Sequence, residues 1–249
     1  MSADFQGFNV VITGAGSGIG LAVAKKLKAQ GAQVFGLDLN AGELDGIGTW
    51  IECDIGSDES VTKAFASIAG KVTKIDVLIN NAGIGAQGGV EAATTEEWNK
   101  VLNINVIGTS RVSAAALPLL RKSTDAAIVN TCSVVATVGL PKRAIYSASK
   151  GAILSLTLAM AADLLPEKIR VNCVNPGTAE TPWIGRLLSQ AADPVKERAA
   201  LEARQPMGRL VSADEVANAI IYLSHPGQKS TTGTVLAVDG GLHSLNLPK

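Results

Sequence analysis

"VVITGAGSGIGLAVAKKL", residues 10–27, decides the fold. Val10, Val11 and Ile12 run without interruption into a cluster of glycines, and the glycines open directly into a helix-like stretch. Gly14, Gly18 and Gly20 form a variant of the dinucleotide fingerprint, with three residues rather than one between the first two glycines. The backbone at such a site must turn tightly, let a pyrophosphate approach and aim helix N-terminal N–H groups at it. Glycines alone also simply break structure. Their position at the first strand-to-helix junction makes them a binding turn.

The same alternation continues outward. "FNVVIT", "AQVFGLD", "WIECD", "KIDVLIN", "AAIVNTC", "IRVNCVN" and "GTVLAVD" read as strands whose unbroken apolar character suits burial on both faces. Helical patterns span Gly18 to Gln30, Ser57 to Ile68, Thr95 to Leu120, Tyr146 to Leu165 and Ser212 to Ser224. Asp214 and Glu215 mark the last as a helix N-terminus. This order predicts an α/β chain: a Rossmann-type, doubly wound parallel sheet of seven strands with helices on both faces. With no internal repeat and no linker, residues 1–249 read as one dinucleotide-binding domain. Only fifteen residues separate Asp38 from Asp54, too few for a full helix, and "LNAGELDGIGTW" reads as a short loop.

Composition narrows the function. Hydrophobic residues make up 47% of the 249, and Lys plus Arg balances Asp plus Glu at 22 each, which gives no pull toward nucleic acid or an anionic membrane. The start has no basic leader, and "GAILSLTLAMAADLL" is interrupted by Ser, Thr and Asp and reads as too short for a membrane span, so a cytoplasmic protein is expected. Cys53, Cys132 and Cys173 have no paired spacing and read as buried reduced thiols. His225 and His243 are the only histidines, and no ligand cluster points to a metal. The 146–165 segment is apolar on nearly every side, which suits deep burial or packing against another subunit. A homo-oligomer, dimer or tetramer, is the preferred expectation.

Asp38 ends the second strand, eighteen residues after Gly20. A carboxylate there can accept both adenosine ribose hydroxyls and repel a 2′-phosphate. At about 4 Å and an effective dielectric of about 20, like unit charges cost about 4 kcal/mol. Leu39 and Asn40 offer no compensating cation, so the expected cofactor is NAD.

"SVVATVGLPKRAIYSASK", residues 133–150, places Ser133 thirteen residues before Tyr146 and Tyr146 four before Lys150. On a helix the last two share a face. Oxidising a secondary alcohol requires a base for its proton as hydride leaves. A phenol titrates near pH 10, and lowering that by roughly three units takes about 4 kcal/mol of preferential phenolate stabilisation. Lys150 and an oxidised nicotinamide are two cations suited to supply it. Ser133 is suited to hold the substrate oxygen by a hydrogen bond. Singly, such residues are usually a cap, a packing aromatic and a solvated cation; together, after a complete dinucleotide turn, they read as acid–base machinery.

With "TGAGSGIG", "NNAG" at 80–83, Ser133 and "YSASK" at 146–150, the chain resembles the short-chain dehydrogenase/reductase family from about Phe8 to Gly241. The resemblance implies that Ser17 and Ile19 belong to the cofactor turn and that Leu39 follows the ribose carboxylate. It implies Asp54 and Ile55 at the adenine, and Asn81, Ala82 and Gly83 along the adenosine ribose. Pro176, Gly177 and Thr181, in "NPGTAET", would hold the nicotinamide end. Asn105 would be the active-site asparagine, helping to hold a relay water, and Lys150 would also bind the nicotinamide ribose.

For substrate, Arg143, Arg186 and Arg204 offer planar forks suited to a carboxylate, with Gln205 beside the last and the substrate loop at about residues 178–210. Surface pairing with Glu180, Glu197 or Glu202 is the competing reading for Arg186. Trp183 would wall the pocket or simply pack. "KRAIYSASK", "NCVNPGTAETP" and "ALEARQPMGRL" resemble the branch holding type 2 3-hydroxybutyrate dehydrogenases and 2-keto-3-deoxy-L-fuconate or L-fucose dehydrogenases. The expected reaction is oxidation of a small hydroxy acid or sugar-derived acid. A ketoacyl-type carbonyl reductase and a catalytically idle NAD-sensing scaffold are the alternatives.

Overall fold

The computed structural model describes residues 4–246. β1 (Asn9–Thr13), β2 (Gln33–Asp38), β3 (Thr49–Glu52), β4 (Val77–Asn80), β5 (Ala127–Thr131), β6 (Arg170–Pro176) and β9 (Val235–Val238) form one parallel sheet. Its order is β3-β2-β1-β4-β5-β6-β9, and every strand expected from the apolar runs is in it. β7 (Ala179–Glu180) and β8 (Val211–Ser212) make a separate two-residue parallel pair.

Strand side chains alternate between two cores. Val11, Leu78, Ile128 and Val171 meet α2 (Asp58–Ala69), α4 (Gly108–Leu120) and α5 (Ala144–Leu164). Val10, Ile12, Ile79 and Val174 meet α1 (Gly18–Ala29) and α8 (Ala213–Ser224). Each fully buried Leu or Ile contributes about 1.5–3 kcal/mol of burial free energy. Ser212 caps α8 in a reciprocal box with Glu215, as the acidic start suggested.

Two expectations are corrected. The single helix expected over 95–120 is α3 (Thr95–Leu102), a π segment (Asn103–Ile107) and then α4. An extra residue in the turn leaves no mark on apolar spacing, and it rotates Asn105 into the interior, where it is 1% exposed. The apolar segment expected to fall short of a span belongs to Ala144–Glu167, 24 residues of hydropathy 1.4, which is span-sized. It is a core helix: Ile145, Ser149, Ile153, Thr157 and Ala161 lie buried against the body, while Leu158 faces outward.

β2 and β3 are joined without a helix, as the short spacing required. The loop folds back on the glycine-rich turn: Glu43 N–H donates to the Gly16 carbonyl at 3.0 Å and Leu44 is 1% exposed. α6 (Pro182–Ser189) and α7 (Pro194–Ala203) fill the segment between β7 and β8, with their own small core of Ile184, Leu201 and Leu210.

Candidate active site

The order of the sheet reverses between β1 and β4, and ligands of such sheets bind in the crevice at the strands' carboxyl ends. A cleft of about 530 Å³ opens there. Every residue expected in a cofactor, catalytic or substrate role lines it except Gly20 and Asn105.

The glycine-rich turn is built for close approach. Gly14 and Gly18 have φ of +66° and +55°. A Cβ on Gly14 would meet the Ala82 Cα at 3.0 Å, and one on Gly20 would lie 2.2 Å from the Gly14 carbonyl. Gly20 thus works behind the turn, letting α1 start against it. α1 has no side-chain cap from Ser17 and no acidic residue in its first turn, so its N-terminal N–H groups and dipole face the cleft. This uncapped helix end beside a cradle of glycines fits a pyrophosphate. Asn81 secures the turn from β4, its Nδ2 donating to the carbonyls of Thr13 and Gly14 at 3.2 Å. Thr13 Oγ1, which the sequence reading passed over, accepts the N–H of Asn81 and of Ala82.

At the end of the cleft beside β2 and β3, Asp38 Oδ2 accepts the Gly16 N–H at 2.9 Å. Asp54 Oδ1 accepts from Gly56 N–H at 2.8 Å, and Arg111 donates to the Ile55 carbonyl at 2.6 Å, fixing that edge from α4. Leu39 remains 59% exposed. Farther along the cleft, Gly177 N–H donates to Val238 O at 3.0 Å, which ties the segment after Pro176 to β9. Thr181 packs against Gly18.

Lys150 is nearly buried at 6% exposure and donates to the Thr131 carbonyl at 2.8 Å. Its ammonium lies 5.8 Å from the centre of the Tyr146 ring. Ser133 starts the turn after β5, and its Oγ accepts a long 3.5 Å contact from Val135 N–H. Among the described residues that hydroxyl donates to no protein acceptor. Asn105 sits one layer below: Oδ1 accepts Ile84 N–H at 2.8 Å, and Nδ2 donates to Ile84 O at 2.9 Å and Ser149 Oγ at 3.0 Å. Its side-chain donors are spent on the protein rather than turned to the cleft.

Arg143, Arg186 and Arg204 line the same cleft, and among the described residues none forms an ion pair. Arg198 has taken Glu180 at 2.6 Å and Glu202 at 3.0 Å, two of the carboxylates Arg186 was weighed against. Burial, and then the neighbouring Arg204, hold the Arg143 guanidinium below its ordinary value. Gln205 does not join them. It is 1% exposed, and its Nε2 donates to the carbonyls of Arg209 at 2.8 Å and Thr178 at 3.3 Å, joining the two ends of the 178–210 segment. Trp183 lies over Gly85, where an added Cβ would be 2.8 Å from the indole. Cys53, Cys132 and Cys173 are free and buried.

The profile of a family described as enoyl-(acyl carrier protein) reductase matches residues 14–243. Dehydrogenase/reductase SDR family member 6 of Rattus norvegicus is 34% identical over 239 residues, covering 95% of this chain and 97% of that protein. Ligand-free aldohexose dehydrogenase of Thermoplasma acidophilum superposes with a TM-score of 0.92 at 32% identity, covering 100% of both chains. The 3-ketoacyl-(acyl-carrier-protein) reductase of Brucella melitensis, solved with NADH, gives 0.87 at 34% identity, covering 96% of this chain and 99% of that one.

Proposed function

The chain belongs to the short-chain dehydrogenase/reductase family, and from that premise we propose that it oxidises the secondary alcohol of a small hydroxy acid or sugar-derived acid to a ketone, with NAD as its cofactor. That it is an oxidoreductase of alcohol or carbonyl groups on small molecules, working with a nicotinamide cofactor, follows from the family itself. The finer reading is carried by one observation: three guanidinium groups without ion-pair partners share a cleft with Tyr146. Arginine pairs with carboxylate through two parallel N–H···O bonds, so a carboxylate is the group that best relieves this excess of positive charge.

When bound, the nicotinamide supplies the carbon that accepts or returns hydride. Lys150, fixed by the Thr131 carbonyl, holds a cation 5.8 Å from the centre of the Tyr146 ring. Tyr146 takes the alcohol proton, and Ser133 donates its free hydroxyl hydrogen to the substrate oxygen. Arg143, from the start of the same helix, and Arg186 and Arg204, from the loop at about 178–210, orient the anionic end. Trp183 closes the wall. Asp38 directs the choice of NAD over NADP through repulsion of a 2′-phosphate.

Within the family, the motifs around Tyr146 and Arg204 favour the branch of 2-keto-3-deoxy-L-fuconate, L-fucose and type 2 3-hydroxybutyrate dehydrogenases. The likeness to an aldohexose dehydrogenase supports its sugar side. In this reading residues 1–249 act as one domain in the cytoplasm, and Leu158, exposed on the outer side of α5, supports a homo-oligomer. The test is an absorbance screen for NADH formation with NAD⁺ and a panel of hydroxy acids, sugar acids and neutral aldoses. Turnover restricted to carboxylated alcohols is expected. Good turnover of neutral sugars with none of their acids overturns the reading.

A further inference from the structure

We infer that Ser149 is a positioning residue, setting Tyr146 and Lys150 against Asn105 and the Gly83–Gly85 backbone; the inference rests on the proposed role of Tyr146 in proton transfer. Ser149 is fully buried, three residues after Tyr146 and one before Lys150 on α5. Its hydroxyl donates back to the Tyr146 carbonyl at 2.8 Å. Mid-helix serines commonly stop at such a bond. This one also accepts Asn105 Nδ2–H at 3.0 Å, from the π segment of another helix.

Asn105 has nothing else to offer that contact. Its second amide hydrogen goes to Ile84 O and its oxygen to Ile84 N–H. Ile84 lies between Gly83 and Gly85 on the cleft wall. One amide and one hydroxyl therefore key three elements together: the strand-end loop after β4, the π segment and α5. The spacing leaves little slack. A Cβ on Gly83 would lie 3.1 Å from Asn105 Oδ1 and 3.7 Å from Lys150 Nζ, so the amide and the ammonium flank the same glycine. Neither Ser149 nor Asn105 lines the cleft, so the pair acts through Tyr146 and Lys150 rather than on substrate. Without the serine hydroxyl, a buried N–H has no acceptor and the amide must turn or shift.

Ser149→Ala and the near-isosteric Ser149→Cys are compared in the full chain with wild type, Tyr146→Phe and Asn105→Ala, using the best substrate of the screen with NAD⁺ and NADH titrated by fluorescence. Expected is a fall in kcat of about tenfold or more in both serine variants, with KM for substrate and NADH affinity within about twofold. The Asn105→Ala/Ser149→Ala double variant should be no slower than Asn105→Ala alone. Unchanged kcat in the serine variants, or losses that multiply in the double variant, overturns the inference while leaving the proposed function standing. A merely structural role lowers thermal stability without this split between kcat and KM, and that outcome also counts against it. Should Ser149→Ala fail to fold, the cysteine variant and the same cycle decide. Full activity of Tyr146→Phe, or an inactive wild type, overturns instead the reading on which it rests.

Discussion

Asp38 and Gly16 are joined by a 2.9 Å hydrogen bond from the glycine N–H to the carboxylate Oδ2, while Oδ1 keeps only a 3.5 Å contact from Asn40 N–H. The residue proposed to select the cofactor is thus also a brace of the glycine-rich turn. Hydrogen bonds to charged groups are worth about 1.5–3 kcal/mol. Asp38→Ala is expected to lower kcat/KM for NAD⁺ by about 10- to 100-fold and to narrow the gap to NADP⁺. Initial rates with each cofactor check this; an unchanged ratio removes Asp38 from discrimination.

Tyr146→Phe deletes one oxygen and leaves the ring beside Lys150. Positioned general bases contribute about 10²- to 10⁴-fold. A kcat loss in that range, with NADH binding retained in a fluorescence titration, is the expected result.

Arg143 and Arg204 repel one another in a partly buried setting. Replacing Arg143 with Ala should raise KM for a carboxylated substrate by about tenfold or more and leave a neutral alcohol unaffected. Parallel kinetics on an acid and its uncharged analogue make the comparison.

Gly85→Ala places a methyl group 2.8 Å from the Trp183 indole. The indole must swing away, so its fluorescence should change and KM for substrate rise several-fold, with the melting temperature little altered. An emission spectrum matching wild type counts against the contact.

Glu215 titrates near 2, held down first by its hydrogen bonds from Arg209 and then by the Ser212 N–H at the start of α8. A lowered carboxylate stabilises the folded chain fully above its unfolded value near 4.5, and that contribution is lost as pH falls through about 2. Glu215→Gln should therefore lower the melting temperature at neutral pH, and the gap should shrink between about pH 4.5 and pH 2. The group is exposed, so added salt should shrink it too.

What could be read from the chain follows from what is local. Strands buried on both faces show as unbroken apolar runs, and β1, β2, β4, β5 and β6 were legible for that reason, whereas β3 and β9, at the two edges of the sheet, are more exposed and stood out only by their shorter apolar stretches. The glycine turn and the Tyr146–Lys150 spacing are likewise encoded within a few residues. The π segment was not, since one extra residue per turn does not disturb an apolar stripe. Nor could spacing tell that Arg198, four residues before Glu202 on α7, would also claim Glu180, or that Gln205 would turn inward while Arg204 beside it reached the cleft. The Arg198–Glu180 and Gln205–Thr178 pairings depend on how α6 and α7 fold back, which brings together residues 18 and 27 positions apart. Ser149 was hidden for a related reason: its partner lies 44 positions away.

The α6–α7 excursion leaves the sheet after β6 and returns at α8, gathered at its neck by the β7–β8 pair and by Gln205. Two of the three arginines travel with it, whereas Tyr146 and Lys150 stay on α5. On the proposed function, recognition then falls mainly on that excursion and chemistry on α5, with Arg143 at the start of α5 belonging to both stretches. Grafting residues 182–210 from a relative, with Thr181 left in place, should carry over that relative's taste in alcohols while Tyr146, Lys150 and the nicotinamide end stay as they are.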